Sequence, residues 1–184
     1  MITHPLIASI VRNRDLAYIY GPPGTGKTRI GVHVFKLARS LGLDPIFIAT
    51  EAGSVIVANM LEGEARIARD AEELVEYVEE ASLKEMYIIV DTINSYYRED
   101  PSFKSRKILA ATLAFMRISG GLALGQVSEF SGTISSPGIR VVEKYAKVIG
   151  VTSKVEDEKF MLKIIKPWER ILLFKIEEED IKWL

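Results

Sequence analysis

The chain has 184 residues, 48% apolar and 27% charged, which is the balance of an ordinary soluble globular protein and the length of about one domain. It has no cysteine and two histidines, so disulfide frameworks and cysteine-ligated metal sites are excluded and a zinc site is disfavoured. The formal net charge is −1, from 24 basic and 25 acidic residues, so binding to nucleic acid would require a local basic patch.

The N-terminal segment, residues 1–15, resembles neither a signal peptide nor a membrane anchor. It has no basic region before its apolar stretch and no small-residue cleavage site. No run anywhere approaches the roughly 20 apolar residues that a membrane helix requires. We therefore expect a cytoplasmic protein with no membrane partner.

The first predicted elements surround a glycine-rich segment. A short apolar run at residues 16–20 predicts a strand, which leads directly into GPPGTGKT at residues 21–28. Residues 27–41 predict a helix, because apolar side chains recur along one face at helical spacing, and Gly42 is placed to end it. His33 lies in this helix away from the apolar face, so we expect it to be partly exposed.

The next part of the chain alternates between strand and helix patterns. Residues 45–50 predict a second strand, which ends at Glu51. Residues 54–61 predict a short helix, and residues 64–68 predict a brief strand or a loop. Residues 70–81 predict a helix whose first residue, an aspartate, is suited to cap it.

A third strand and a third long helix follow. Residues 86–90 predict a buried strand that ends at Asp91. A polar stretch, residues 94–105, separates it from a helix predicted over residues 107–118. Two glycines end that helix, and residues 122–126 predict a fourth strand.

The last part of the chain changes character. From residue 139 onward it reads as strands separated by turns, which we expect to add antiparallel strands to one edge of the sheet. Upstream, the alternation of apolar strands with helical stretches is typical of an α/β protein whose sheet is mostly parallel and flanked by helices. With no internal repeat or shift in composition, residues 1–184 are expected to form a single domain.

The segment GPPGTGKT matches the P-loop pattern G-x-x-x-x-G-K-[ST] in full. Its glycines let successive backbone N–H groups turn inward around an anion, and the following helix directs its positive end at the same point. The motif therefore predicts a site for the triphosphate of ATP. The residues expected to hold the nucleotide are Gly21, Pro22, Pro23, Gly24, Thr25, Gly26, Lys27, Thr28 and Arg29.

Two side chains of the loop and one strand end carry more specific chemistry. Lys27 is expected to add a mobile positive charge at the β and γ phosphates, which makes it a catalytic candidate. The Thr28 hydroxyl is expected to ligate Mg²⁺, and Asp91 has the form of the Walker B aspartate that reaches the same ion. Thr92 follows Asp91, whereas ATPases of the AAA+ class normally have a catalytic glutamate there, so that class is disfavoured.

Polar residues at two further strand ends complete the candidate catalytic set. In parallel α/β sheets the ligand groups lie at the carboxyl ends of the strands. Glu51 is the candidate to polarise a water molecule for attack on the γ-phosphate, with an exposed turn acid before Gly53 as the alternative. Gln126 is a candidate to hydrogen-bond the γ-phosphate or that water, with an ordinary end-of-strand amide as the alternative.

These strand ends resemble a known family. Residues 47–54, FIATEAGS, resemble the second-strand motif of the RecA/RadA recombinases, whose glutamate is the catalytic base. Residues 87–100, YIIVDTINSYYRED, resemble their Walker B segment, including the arginine and acid that follow. Residues 122–130, LALGQVSEF, resemble the strand whose glutamine senses the γ-phosphate and couples it to a DNA-binding loop. The resemblance extends over residues 16–183.

The resemblance implies a RecA-like P-loop NTPase core like that of the short archaeal RadA paralogues, RadB-like or RadC-like, which consist of the ATPase core only. It implies Glu51 as base, Gln126 as sensor, and ATP and Mg²⁺ as ligands. A full recombinase carries an N-terminal DNA-binding domain and a polymerisation motif ahead of the core, and we find neither here. The implied role is therefore in DNA recombination or repair, as an accessory or regulator of a full-length RadA-type recombinase, with oligomerisation left open.

The same resemblance indicates two segments as candidates for binding single-stranded DNA. The first DNA loop of the family corresponds to residues 98–106 and the second to residues 128–140, both short in this chain. Affinity for single strands comes mainly from Lys and Arg on phosphates and from aromatic side chains on bases. The candidate DNA-binding residues are Arg98, Phe103, Lys104, Arg106, Lys107 and Arg140. A solvated helix start is the alternative interpretation of this cluster.

Two other functions are compatible with the P-loop. One is a nucleotide-gated binding protein that takes up ATP without significant hydrolysis or DNA binding and presents a surface to a partner. The other is a small-molecule kinase, which ranks last because the sequence has no arginine-rich lid segment.

Overall fold

The computed structural model describes residues 3–51, 53, 61, 65–130, 133–178 and 180–184. Of the helix expected over residues 54–61, residues 54–60 lie outside the described residues. Within them the chain is an α/β protein with a mostly parallel central sheet, helices on its faces and antiparallel strands toward the C-terminus, as the sequence predicts.

Seventeen elements can be placed along the described residues. The helices are α1 (Pro5–Arg12), α2 (Lys27–Ser40), α3 (Ala71–Leu83), α4 (Ser95–Glu99), α5 (Phe103–Ser119) and α6 (Ile139–Tyr145). The strands are β1 (Leu16–Gly21), β2 (Pro45–Ala49), β3 (Ala65–Ile67), β4 (Tyr87–Asp91), β5 (Gly121–Gln126), β6 (Ser128–Phe130), β7 (Thr133–Ser135), β8 (Val148–Glu156), β9 (Lys159–Lys166), β10 (Arg170–Ile176) and β11 (Ile181–Trp183).

Nine of these strands form one sheet in the order β11-β10-β9-β8-β1-β5-β4-β2-β3. The strands from β3 across to β8 pair in parallel, and β9, β10 and β11 pair antiparallel. The expected antiparallel extension is therefore confirmed with one correction, since β8 pairs in parallel with β1. The remaining strands, β6 and β7, form a separate hairpin.

The segment after residue 139 differs from the sequence prediction of strands. Residues Ile139–Tyr145 form the helix α6, which begins after Gly138 in the left-handed region (φ 81°). Val141 and Val142 of this helix are buried in the core. Adjacent buried valines fit a strand and a short helix equally well, and packing against α5 decides in favour of the helix.

Helix α5 begins earlier than predicted, at Phe103 and not at residue 107. The Ser102 hydroxyl accepts a hydrogen bond from the Ser105 backbone N–H at 3.2 Å, which caps the helix at that point. The polar stretch, residues 94–105, thus contains helix α4 and the first residues of α5. Helix α1 is a further element that the sequence analysis did not predict.

The central strands are buried on both faces, which explains their nearly continuous apolar sequences. In β4, Tyr87 and Ile89 pack toward α1 and α2, whereas Ile88 and Val90 pack toward α3, α5 and α6. Because β1, β5, β4 and β2 run in parallel between these helix layers, their carboxyl ends meet at one edge of the sheet.

His33 is buried, with 0% of its surface exposed, which corrects the expectation of a partly exposed residue. The C-terminal segment covers it: His33 Nδ1 lies 2.6 Å from Asp180 Oδ1, and Trp183 Nε1 donates to His33 Nε2 at 3.3 Å. The face of α2 that carries His33 is therefore covered by the C-terminal segment.

Among the described residues, no helix combines the length and the hydropathy needed to cross a bilayer.

Candidate functional site

The glycine-rich loop joins the end of β1 to the start of α2. Gly24 and Gly26 have φ angles of 73° and 84°, in the left-handed region that favours glycine. A Cβ atom on Gly26 would lie 3.0 Å from Phe174 Cε2, so the core below the loop leaves no room for a larger residue. Pro23 and Gly24 are exposed at the tip of the loop. The backbone at this tip is open to a ligand, and α2 directs its positive end toward it.

Lys27 is the first residue of α2 and is buried, with 7% of its surface exposed. Its Nζ donates hydrogen bonds to the Gly21 and Pro22 carbonyl oxygens, at 2.9 and 2.7 Å. Burial lowers the pKa of this ammonium, while the nearby carboxylates of Asp91 and Glu51 oppose that change. An ammonium held by carbonyl oxygens can exchange them for phosphate oxygens, which carry more negative charge.

Thr25 joins the loop to β8, the strand beside β1. Its hydroxyl donates to the Pro22 carbonyl at 2.8 Å and lies 2.7 Å from the hydroxyl of Thr152 in β8. A Cβ atom on Gly21 would collide with Thr152, so the first glycine of the motif permits this close approach. Thr152 was not found from the sequence, because nothing local marks a threonine that lies 127 positions away in the chain.

Thr28 and Asp91 meet where β4 ends beside the loop. Thr28 Oγ1 donates to Asp91 Oδ2 at 2.7 Å, and Asp91 is 2% exposed. Two oxygen ligands of this kind suit Mg²⁺, which takes one or two protein groups and completes its shell with water and phosphate. The described residues contain no group of three His, Cys, Asp or Glu side chains that could form a full protein cage. Thr28 and Asp91 therefore fit a magnesium ion shared with a nucleotide.

Glu51, Gln126 and Arg98 form a closed hydrogen-bonded ring beside this point. Gln126 Nε2 donates to Glu51 Oε2 at 2.5 Å, and Arg98 Nη1 donates to Glu51 Oε1 at 3.2 Å and to Gln126 Oε1 at 2.9 Å. The side chains of Glu51 and Arg98 are each 29% exposed. The sequence analysis grouped Arg98 with the DNA-binding candidates. The signal that could have located it here is the segment that contains it, YIIVDTINSYYRED at residues 87–100.

The pKa of Glu51 is raised, first because burial disfavours its charged form. The Arg98 guanidinium opposes this change, and the Asp91 carboxylate adds to it. A carboxylate with a raised pKa holds a proton more strongly, which is the property required of a general base near neutral pH.

Asn94 fixes the position of Gln126. Asn94 is fully buried in the turn after β4; its Nδ2 donates to the Gln126 carbonyl at 2.9 Å, and its Oδ1 accepts from the Gln126 N–H at 3.0 Å. This pair of bonds joins the end of β5 to the end of β4. The sequence analysis missed Asn94, whose only signal is its place three residues after Asp91.

The remaining loop candidate, Arg29, points away from the tip. Its Nη1 donates to the Glu178 carbonyl at 3.1 Å, in the segment before β11. Arg29, the last of the nine predicted nucleotide-binding residues, is thus held by the C-terminal segment.

The DNA-binding candidates lie in three places. Phe103 is 71% exposed at the start of α5, and Lys107 Nζ lies 4.6 Å from the centre of its ring. Lys104 forms an ion pair with Glu72 at 2.5 Å, and Arg106 is exposed on the same helix. The other two lie elsewhere: Arg98 is in the ring beside Glu51, and Arg140 is exposed in α6.

Comparison of the chain with protein-family models finds no matching family, and comparison with curated proteins finds no significantly similar sequence.

Proposed function

We propose that this chain is a Mg²⁺-dependent ATPase with a RecA-like P-loop core that binds ATP and hydrolyses it slowly. The observation that supports this most directly is the meeting of four strand ends at one edge of the sheet. The glycine loop follows β1, Gln126 ends β5, Asp91 ends β4 and Glu51 follows β2. Ligand sites of parallel α/β sheets lie at this edge.

The loop and Lys27 hold the triphosphate. Backbone N–H groups around Gly24 and Gly26 surround the phosphates, and α2 adds its positive end. Lys27 exchanges the carbonyl oxygens of Gly21 and Pro22 for phosphate oxygens. Bound between Thr28 and Asp91, Mg²⁺ would neutralise charge that develops on the phosphates during transfer.

Glu51 and Gln126 act on the γ-phosphate end. Glu51 orients a water molecule and accepts its proton, for which burial and the raised pKa suit it. Gln126 senses the phosphate by donating its amide N–H to it. Strand β5 lies between β1 and β4, so Gln126 is next to both the loop and Asp91, which is the position that a sensor requires.

The biological role that we propose is in DNA recombination or repair, as an accessory or regulator of a full-length RadA-type recombinase. Support for binding of single-stranded DNA comes from Phe103, whose exposed ring carries Lys107 on one face. An aromatic ring beside a lysine is the combination that stacks a base and holds its phosphate. Lys104 contributes less, because Glu72 neutralises it.

The deciding experiment is the rate of ATP hydrolysis with and without single-stranded DNA, for the wild type, Lys27→Ala and Lys154→Ala. Lys154 is an exposed lysine near the β8–β9 turn, so its removal controls for loss of charge. We expect Mg²⁺-dependent turnover that DNA stimulates, that Lys27→Ala abolishes and that Lys154→Ala leaves unchanged. Equal rates of ATP hydrolysis by the wild type and Lys27→Ala would refute the ATPase proposal.

One observation favours the alternative of a nucleotide-gated binding protein without significant hydrolysis. Both carboxylate oxygens of Glu51 already accept hydrogen bonds, from Gln126 and from Arg98. If that arrangement persisted with ATP bound, both oxygens would stay directed at Gln126 and Arg98, and proton transfer from water to Glu51 would be slower. Micromolar ATP binding by the wild type without measurable turnover would support this alternative.

A further inference from the structure

Arg98 is the only described side chain that contacts both the proposed base and the proposed sensor through hydrogen bonds. Its Nη1 donates to Glu51 Oε1 at 3.2 Å and to Gln126 Oε1 at 2.9 Å. Gln126 closes the ring by donating to Glu51 Oε2 at 2.5 Å. The ring therefore uses both oxygens of the carboxylate and both ends of the amide.

This ring competes with the action of either group on a nucleotide. A general base needs a lone pair directed at the proton that it removes, and each Glu51 oxygen already directs one of its lone pairs into the ring. Gln126 likewise gives one of its two N–H groups to Glu51. Opening the ring frees both side chains to turn toward a nucleotide.

We propose that Arg98 is a positioning residue that acts as a latch, holding Glu51 and Gln126 together and releasing Glu51 when a triphosphate engages Gln126. The inference rests on the proposed function, because it assigns Glu51 and Gln126 their roles as base and sensor. Arg98 itself does not touch the nucleotide in this scheme. It regulates turnover by controlling when the carboxylate is available to water.

The charges around Glu51 make Arg98 its main electrostatic partner. Burial raises the pKa of Glu51, and Arg98 is the strongest influence in the opposite direction. Asp91 and Glu99 add to the increase, and Lys27 opposes it. Removing Arg98 would therefore leave a carboxyl that is both less restrained and more basic.

Arg98 lines an open cleft beside the ring. The cleft has a volume of about 420 Å³, and the described residues that line it are Thr50, Glu51, Ser95, Arg98, Glu99 and Ser128. Within the described part of the chain, the buried Nε of Arg98 has no hydrogen-bond partner, so the guanidinium retains a donor for another acceptor. The cleft supplies hydroxyl groups and the Glu99 carboxylate as such acceptors.

The first test measures the latch without any catalysis. The carboxyl carbon of Glu51 is followed by ¹³C NMR as a function of pH in the wild type, Arg98→Ala, Arg98→Lys and Arg12→Ala, with its signal assigned from Glu51→Gln. Arg12 is an exposed arginine at the end of α1 and serves as the control. We expect the pKa of Glu51 to be higher in Arg98→Ala than in the wild type, intermediate in Arg98→Lys and unchanged in Arg12→Ala, because Arg98 is the charge that opposes the effect of burial. An unchanged pKa in Arg98→Ala would overturn the proposal.

The second test measures ATP turnover without DNA at a pH above the acid limb of every protein compared, so that Glu51 is ionised throughout. We expect kcat of Arg98→Ala to rise about three- to tenfold, the range expected when one hydrogen bond to the base is lost, with KM for ATP within about twofold. A decrease in kcat would overturn the latch, because Arg98 would then assist the reaction. If neither the wild type nor any variant hydrolysed ATP, the proposed function would fail, and the NMR titration would still decide whether Arg98 restrains Glu51.

Discussion

Thr28 Oγ1 donates a 2.7 Å hydrogen bond to Asp91 Oδ2, which joins the first turn of α2 to the end of β4. The two residues lie 63 positions apart in the chain and come from different strand–helix units. Their oxygens meet beside the glycine loop, where a divalent ion shared with a triphosphate would need them. This contact is the basis for the first prediction.

Replacement of Thr28 by valine keeps the size of the side chain and removes the hydroxyl. We expect the Mg²⁺ concentration for half-maximal ATP turnover to increase about tenfold or more, because an inner-sphere oxygen is lost. Thr28→Ser, which keeps the hydroxyl, should restore it to within about twofold of the wild type. Equal Mg²⁺ dependence of the valine and serine variants would show that the hydroxyl is not a ligand.

Replacement of Gly26 by alanine should impair both folding stability and nucleotide binding. Its φ angle of 84° disfavours a Cβ atom, and that atom would lie 3.0 Å from Phe174. Gly42 is the matched control, because its φ of 79° imposes similar strain with no atom within 4 Å of the added Cβ. We expect Gly42→Ala to lose about 1–2 kcal/mol of unfolding free energy in urea and Gly26→Ala to lose more.

The Gly26→Ala and Gly42→Ala variants should also differ in their affinity for ATP. Only Gly26→Ala should weaken ATP binding by calorimetry, because only Gly26 belongs to the phosphate loop. Similar affinities of the two variants would contradict the role of the loop.

Replacement of Glu51 by glutamine should separate binding from hydrolysis. The amide keeps the shape of the side chain but cannot accept a proton, so we expect ATP affinity within about threefold and kcat reduced about 100-fold or more. Turnover at the wild-type rate would exclude Glu51 as the base.

The pH profile of the wild type gives an independent check on the same residue. Turnover requires ionised Glu51 and should fall as the pH decreases through its pKa. Because burial raises that pKa, the acid limb should lie above the value of about 4.3 typical of an exposed glutamate. An acid limb at or below that value would mean that another group limits the rate.

Replacement of Phe103 by alanine should weaken binding of single-stranded DNA and leave ATP turnover without DNA unchanged. Loss of one stacked base should cost about 1–3 kcal/mol, or roughly 5- to 150-fold in Kd. Ile118→Ala is the matched control, since Ile118 is 76% exposed on the same helix and lies at the opposite end from Phe103. Fluorescence anisotropy with a labelled oligonucleotide gives both values, and equal affinities of the two variants would exclude stacking on Phe103.

Local patterns in the sequence were sufficient to predict the elements that carry the site. The fold contains the strand before GPPGTGKT and the helix after it. It also contains the strand that precedes Glu51 and the strands that end at Asp91 and Gln126. These predictions succeed because apolar runs and glycine spacing act over a few residues, and because parallel strands bring their carboxyl ends to one edge. The same local patterns failed for α6, whose buried valines have no helical signature of their own.

The glycine-rich motif and the polar residues at the strand ends can be recognised from the sequence, since each depends on neighbouring residues in the chain. Only the tertiary structure decided that Arg98 lies against Glu51 and Gln126, that Thr152 supports the loop and that Trp183 helps to bury His33. These contacts depend on strand order and on where α4 and β11 pack. Such packing arises from the apolar surface buried across the whole sheet, which cannot be read from any short segment of the chain.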